Sequence, residues 1–332
     1  MDKAGNPDKC LSYLITVSKA HVFPCRMLLD TLTRKTNAKI VLVGNLSNEE
    51  VKIFKRYHVT YIDENDIDMT DRLPQIGWLE KYRSFGWYKQ MFVRLSIDRF
   101  MNTDQVVILD SEVFVFDDWD ETKFYDPDSG RPRSFYWTPK VRKPDWDYKM
   151  YRGAAYLLSY LSECKGIMEY ANSTEYKRHI SGVVLFSTKN VETLWRILEQ
   201  KTDLQKNIDQ LFNQEIELAF SDHDFYGLAV EYGLFDNTVP TIMHNELLGW
   251  YDNHDDINFE KFKNNAMWSM CQRYFNYSPE GYIRFMKEKA GQLGTKLPKI
   301  SAIEKCVEGV KDLIYSLHQP YNTSGEELGE ND

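Results

Sequence analysis

Two short apolar runs near the N-terminus, LSYLITVS (11–18) and AKIVLVG (38–44), and a third strand-like run, VTYIDEND (59–66), are separated by two stretches with helical spacing, FPCRMLLDTLTRKT (23–36) and NEEVKIFKRY (48–57). Strand-length apolar runs alternating with helix-length amphipathic ones point to βαβ units and a parallel sheet. Such crossovers are nearly always right-handed, so consecutive strands fall into one sheet with helices on its faces. The expected class is therefore α/β, a mostly parallel, Rossmann-like sheet flanked by helices.

The pattern continues in EKYRSFGWYKQMFVRLSIDRFMN (80–102), where Trp87, Met91 and Leu95 fall at helical spacing with Tyr88 and Phe92 beside them. This amphipathic helix leads into QVVILDSEVFVF (105–116), an apolar run interrupted by two carboxylates. A parallel strand buried on both faces is apolar throughout, and an uncompensated buried carboxylate is costly. The run is therefore expected to end as a strand at Asp110, with the acids at the carboxyl edge of the sheet, where open α/β sheets bind ligands. Asp110 and Glu112 are two apart and share one face of an extended segment. Two oxygen donors on one face suit a hard divalent cation, Mg2+ or Mn2+, which can hold the phosphates of a nucleotide. The plainer alternative is that Asp110 caps a turn and Glu112 is a solvated residue.

Further along, 117–150 reads as a loop-rich excursion and 153–171 as a helix. Residues 179–201 read as strand, turn and helix with Asn190 as N-cap, and 208–220 as another helix. SDHDFYGLAVEYG (221–233) opens a helix that Gly233 stops, 238–254 is a strand and loop, and 259–318 is mostly helical. The expected organisation is one compact domain over 1–255, a helical C-terminal extension over 256–318 and a disordered acidic tail over 319–332.

The net charge of -9 argues against nucleic-acid binding, which needs a cationic face. The five cysteines are scattered without CxxC spacing, which suits reduced thiols rather than a disulfide framework or a zinc site. There is no apolar run long enough for a signal peptide or a membrane span, so the expected location is the cytoplasm, with peripheral membrane attachment left open. The 14% aromatic content is compatible with sugar stacking and equally with an aromatic-rich core.

At this point the sequence resembles a family. A strand feeding a D-x-D-like Asp110-Ser111-Glu112 behind several βαβ units is similar to GT-A type nucleotide-sugar-dependent glycosyltransferases. GWYKQMFVRL (86–95) resembles the GW-x-x-Q-x-x-x-KL segment of the DUF6492 glycosyltransferase-like group of bacterial and viral proteins. ISGVVLFS (180–187) is similar to a segment that GT-A enzymes place beside the sugar, and SDHDFYGLAVEYG resembles the group's acidic stretch. Together these cover roughly residues 11–250, with two departures: Glu112 stands for the usual second Asp, and Ile180 for the usual Asn or Ala.

The resemblance implies a metal-dependent glycosyltransferase of the kind that serves polysaccharide biosynthesis. It would move a sugar from a nucleoside diphosphate donor, a UDP-sugar in preference to a GDP-sugar, to a hydroxyl of a glycan acceptor. Asp110 and Glu112 would hold Mn2+ or Mg2+, with His244 in TIMHNELLGW as a third ligand ahead of His254. Thr16, Ser18, Gln90, Arg94, Ser181 and Gly182 would meet the donor, and Trp250 the acceptor sugar. Asp222 or Asp224 would serve as general base or steady positive charge at the sugar carbon, with His223 between them pointing away. Acidic residues in a first helical turn also have a purely structural use as caps.

Two other functions compete. A sugar nucleotidyltransferase also pairs carboxylates on an α/β sheet but carries a Gly-rich basic loop after its first strand; here that position reads SKAHVFPCR, without glycine. A non-catalytic glycan- or nucleotide-binding domain would keep the fold without turnover, and the intact acids at 110, 112, 222 and 224 speak against degeneration.

Overall fold

The computed structural model describes residues 11–73, 85–111, 113–115, 119–136, 146–172, 177–179, 181–201, 206, 220–242, 248–251 and 268–271. Strand β1 (Leu11–Thr16), helix α1 (Val22–Leu32), strand β2 (Lys39–Gly44), helix α2 (Asn48–Phe54) and strand β3 (Thr60–Asp63) form the expected alternation. At the start of α2 the side chain of Ser47 accepts from the Glu50 N–H while Glu50 reaches back to the Ser47 N–H, a reciprocal cap that fixes where the helix begins.

Helix α3 (Phe85–Arg94) leads through a short 3-10 turn to β4 (Gln105–Asp110). The expected helix over 80–102 is thus shorter at its C-terminal end, because Leu95 and Ser96 turn the chain into the 3-10 segment at Ile97–Arg99. The apolar run 105–116 is two strands: β4 stops at Asp110, and β5 (Val113–Val115) belongs to another sheet. Then come β6 (Arg133–Tyr136), α4 (Trp146–Leu158), α5 (Ile167–Asn172), β7 (Val183–Ser187), α6 (Thr188–Lys201), α7 (Asp222–Glu231), β8 (Val239–Ile242), β9 (Leu248–Tyr251) and β10 (Trp268–Cys271).

The main sheet has the order β3-β2-β1-β4-β7. Its first four strands are parallel, and β7 runs antiparallel to β4 along the far edge. Successive residues of each strand enter opposite cores, as the two-residue period of a strand requires. Leu14, Val41, Val106, Ile108, Val184 and Phe186 pack on one side, and Tyr13, Ile15, Leu42, Val107, Leu109 and Leu185 on the other. Two small sheets flank it: β10 pairs antiparallel with β5 and parallel with β9, and β6 pairs parallel with β8.

Three readings of the sequence change here. The single expected helix over 153–171 is α4 and α5, separated by a turn and a 3-10 segment (Ser162–Cys164) that lead to Gly166 with a φ of 86°. Asn190 does not cap α6: the helix already starts at Thr188, and the buried Asn190 amide donates to Tyr226 Oη at 3.1 Å and Thr238 Oγ1 at 2.9 Å. Trp268–Cys271, inside the stretch expected to be helical, is a strand joined to β5 and β9. The expected helix over 208–220 apart from Phe220, the remainder of the expected extension and the acidic tail lie outside the described residues. Among the described residues no helix is long and apolar enough to cross a membrane.

Candidate functional site

Between β1 and β4 the strand order reverses: the chain leaves β1 toward β2 on one side and returns from β3 to β4 on the other. The crevice beyond the carboxyl ends of two such strands is where open α/β sheets place ligands. Thr16 and Asp110, the last residues of β1 and β4, are partners in the ladder, so their side chains stand together at that edge.

Arg94, the last residue of α3, joins them. Its Nη2 donates to Thr16 Oγ1 at 2.9 Å and to Asp110 Oδ1. Its Nη1 lies 3.7 Å from Asp222 Oδ2 and 3.4 Å from His223 Nε2. One guanidinium thus ties α3 to β1, β4 and α7. Side-chain exposure ranks the group: 16% for Asp110, 9% for Arg94 and 2% for Asp222. Asp110 faces the open edge, while Asp222 backs Arg94 from the interior.

The first turn of α7 distributes its polar side chains in different directions. Ser221 caps the helix by accepting from the Asp224 N–H at 3.3 Å. Asp222 faces Arg94, His223 Nδ1 accepts the Ser181 N–H at 3.2 Å, and Asp224 Oδ1 accepts the His179 N–H at 3.1 Å. Because Nδ1 is an acceptor, the proton of the neutral imidazole is assigned to Nε2, which lies 3.6 Å from Asp222 Oδ2. Burial pushes Asp222 up to about 6 against the opposing pull of Arg94. Burial, aided by the neighbouring Arg94 charge, holds His223 down at about 3, so the imidazole is neutral at physiological pH.

Ser181 and Gly182 close the same edge: the Gly182 carbonyl accepts the Asp110 N–H at 2.9 Å, directly beyond the ladder of β4 with β7. Ser111 is buried and its Oγ is 3.0 Å from Nδ1 of the half-buried His21, which follows β1.

The structure therefore brings Thr16, Arg94, Asp110, Ser181 and Gly182 to one edge. Ser18 lies two residues past β1 and is half-buried, as is Gln90 one turn before Arg94 on α3. Asp222 and Asp224 are both buried. Trp250 lies in β9, and its side chain, like Glu112, Ile180, His244 and His254, is outside the described residues. His223 corrects an expectation: it points into the cluster, toward Arg94 and Ser181, because α7 lies against the segment that precedes β7. Its place between two acids in S-D-H-D was the available signal. His21 had none, since its partner Ser111 is 90 residues away.

A divalent cation takes about six or more oxygen ligands. Among the described residues no group of three or more His, Cys, Asp or Glu could hold a metal ion. Asp110 is the only expected ligand among them, and it is already paired with Arg94. The described donor set does not by itself fit a metal.

The profile of DUF6492, a family of unknown function, matches residues 18–278. No curated protein matches the chain. Among solved structures, the apo form of the bifunctional glycosyltransferase WbbM superposes with a TM-score of 0.51 at 14% identity, over 91% of this chain and 52% of that one. The chain thus spans about half the length of WbbM. An active-site mutant of LgtC gives a TM-score of 0.48 at 14% identity, over 87% of this chain and 98% of the other. Core-mannan synthase A from Aspergillus fumigatus, in its Mn/GDP form, gives 0.45 at 10% identity, over 72% and 74%. The fold is that of the GT-A type glycosyltransferases.

Proposed function

This chain belongs to the DUF6492 family, and we propose that it is a glycosyltransferase that moves a sugar from a nucleoside diphosphate donor to a hydroxyl of a glycan or similar acceptor. The observation that carries the reading is the convergence of Arg94, Asp110 and Thr16 at the strand-order reversal, with Ser181–Gly182 alongside.

The chemistry follows from the charges. When a glycosyl bond to a diphosphate breaks, negative charge grows on the departing phosphate and positive charge on the sugar carbon. A guanidinium held in place before the reaction stabilises that growing negative charge electrostatically and needs little reorganisation. Arg94 is so held, by Thr16 and Asp110 at the open edge and by Asp222 behind. Asp110, the most exposed of the carboxylates, is the group that faces the bound donor. The Ser181–Gly182 backbone, bonded to Asp110, forms the sugar-facing side, where the missing Cβ of Gly182 lets a ligand come close. In this reading Asp222 acts on Arg94 rather than on the acceptor, and Asp224 holds the chain at His179.

The test is hydrolysis of a donor panel, UDP-glucose, UDP-galactose and GDP-mannose, by the wild-type chain and Asp110→Asn, each with Mn2+ and with EDTA. Turnover of at least one donor, lost in Asp110→Asn while its thermal midpoint is retained, supports the reading. The two metal conditions decide whether Mn2+ adds to what Arg94 supplies. Nucleotide binding without turnover under any condition makes the chain a binding domain, and no binding overturns the reading.

A further inference from the structure

Residues 177–179 and 181–182 lie along α7 and are held at both ends of that helix. At the N-terminal end the Ser181 N–H bonds His223 Nδ1 at 3.2 Å and the His179 N–H bonds Asp224 Oδ1 at 3.1 Å. Midway, the His179 imidazole rests on Gly227, where a Cβ would come within 2.1 Å of Nδ1. At the C-terminal end Glu231 accepts from Lys177 Nζ and from Tyr170 Oη, and its other oxygen is 3.4 Å from His179 Nε2. Beyond Ser181 the same segment delivers the Gly182 carbonyl to the Asp110 N–H. Contacts of Lys177, His179, Ser181 and Gly182 thus line the way from Glu231 to the backbone beside Asp110.

The Glu231 side chain is only 8% exposed. Burial by itself would raise its carboxyl, but the neighbouring His179 and the bonds from Lys177 and Tyr170 outweigh that and hold it below the usual range, so it is ionised. Apolar packing could hold α7 against the sheet in several registers. An ionised, buried carboxylate tolerates only the register in which its cation and donors meet it, because a slip strands the charge. Two of its three partners, Lys177 and His179, sit on the segment that ends at Ser181–Gly182.

We propose that Glu231, acting through His179 and Lys177, is a positioning residue that sets the Ser181–Gly182 edge of the donor site against the sugar. The proposal rests on the glycosyltransferase reading and separates from it by ligand. Its effect falls on the sugar of a nucleotide-sugar and spares the bare nucleotide, which Arg94 and the β1–β4 edge hold.

Calorimetric titration of the full chain with UDP and UDP-glucose, and with GDP and GDP-mannose, tests it. In Glu231→Gln, and in the milder Lys177→Met, the affinity for the bare nucleotide stays within about twofold while that for the nucleotide-sugar falls roughly tenfold, the scale of a small misplacement in a site. Tyr170→Phe removes a Glu231 partner that lies on α5 rather than on the segment, so it lowers the thermal midpoint and leaves the ratio of the two affinities unchanged. An unchanged ratio in both Glu231→Gln and Lys177→Met, each folded, overturns the proposal, as does an equal shift of the ratio in Tyr170→Phe. If the wild-type chain binds neither member of either pair, the glycosyltransferase reading fails and takes this one with it.

Discussion

The Asp222 carboxylate lies 3.7 Å from the guanidinium of Arg94, on the side away from the open edge. Arg94 is thereby the shared counter-charge of two carboxylates from different parts of the chain, Asp110 at the end of β4 and Asp222 at the start of α7. Buried charges of this kind are tolerated because they are paired; removing the shared partner leaves two of one sign facing each other.

Arg94→Met is therefore expected to cost about 3–5 kcal/mol of folding stability. Adding Asp222→Asn removes the more deeply buried of the stranded charges, so the double variant should recover a large part of that loss. Urea unfolding of the wild type, both single variants and the double variant gives the coupling directly. Simple additivity of the two single losses would show that the pair at 3.7 Å is not energetically linked.

Asp222 and His223 are neighbours whose protons respond to folding in opposite senses. Asp222 is raised from its ordinary 3.8 to about 6, so on acidification the folded chain takes up a proton before the unfolded one. Its contribution to stability is fully present below pH 3.8 and is lost as the pH rises through 6. His223 is lowered from 6.5 to about 3, so its contribution is present above pH 6.5 and is lost as the pH falls toward 3. Between pH 6 and 4 the two slopes cancel. Asp222→Asn should expose the histidine slope and lose about 1.4 kcal/mol per pH unit relative to the wild type on acidification through that window. His223→Gln should gain by the same amount. Urea midpoints followed by tryptophan fluorescence at a series of pH values read both; parallel profiles for all three proteins would refute the opposed pair.

Much of this fold is visible in periodicity. The alternation from β1 to β4, the end of the strand at Asp110 and the stop of α7 at Gly233, which has a φ of 72°, all follow from local rules. What the local rules miss are contacts between distant residues. Arg94 and His223 meet across 129 positions, and nothing in either segment says that the other is its partner. S-D-H-D looks like the solvated start of a surface helix, yet Asp222 through Val230 are all buried. Asp222 faces Arg94, and His223 and Asp224 accept the backbone N–H groups of Ser181 and His179, residues whose own sequence reads simply as the approach to a strand. Asn190 has the chemistry of a cap but is drawn inward by Tyr226 and Thr238.

The His179 imidazole leaves no room for a side chain at Gly227. A Cβ at Gly227 would meet Nδ1, Cγ and Cβ of His179 at 2.1, 2.2 and 2.7 Å. The imidazole has little room to yield, being buried between α7 and the Tyr136 ring 6.0 Å away, with Glu231 beside it. Gly227→Ala should therefore destabilise the chain by about 1–3 kcal/mol, the usual cost of overpacking a filled core, despite the better helix propensity of alanine. In the His179→Ala background the clash is gone, and the same substitution should then stabilise or be neutral. Chemical unfolding of the four proteins distinguishes the cases. A Gly227→Ala cost that persists without the imidazole would mean that the helix backbone itself, and not the side chain laid across it, requires glycine at this position.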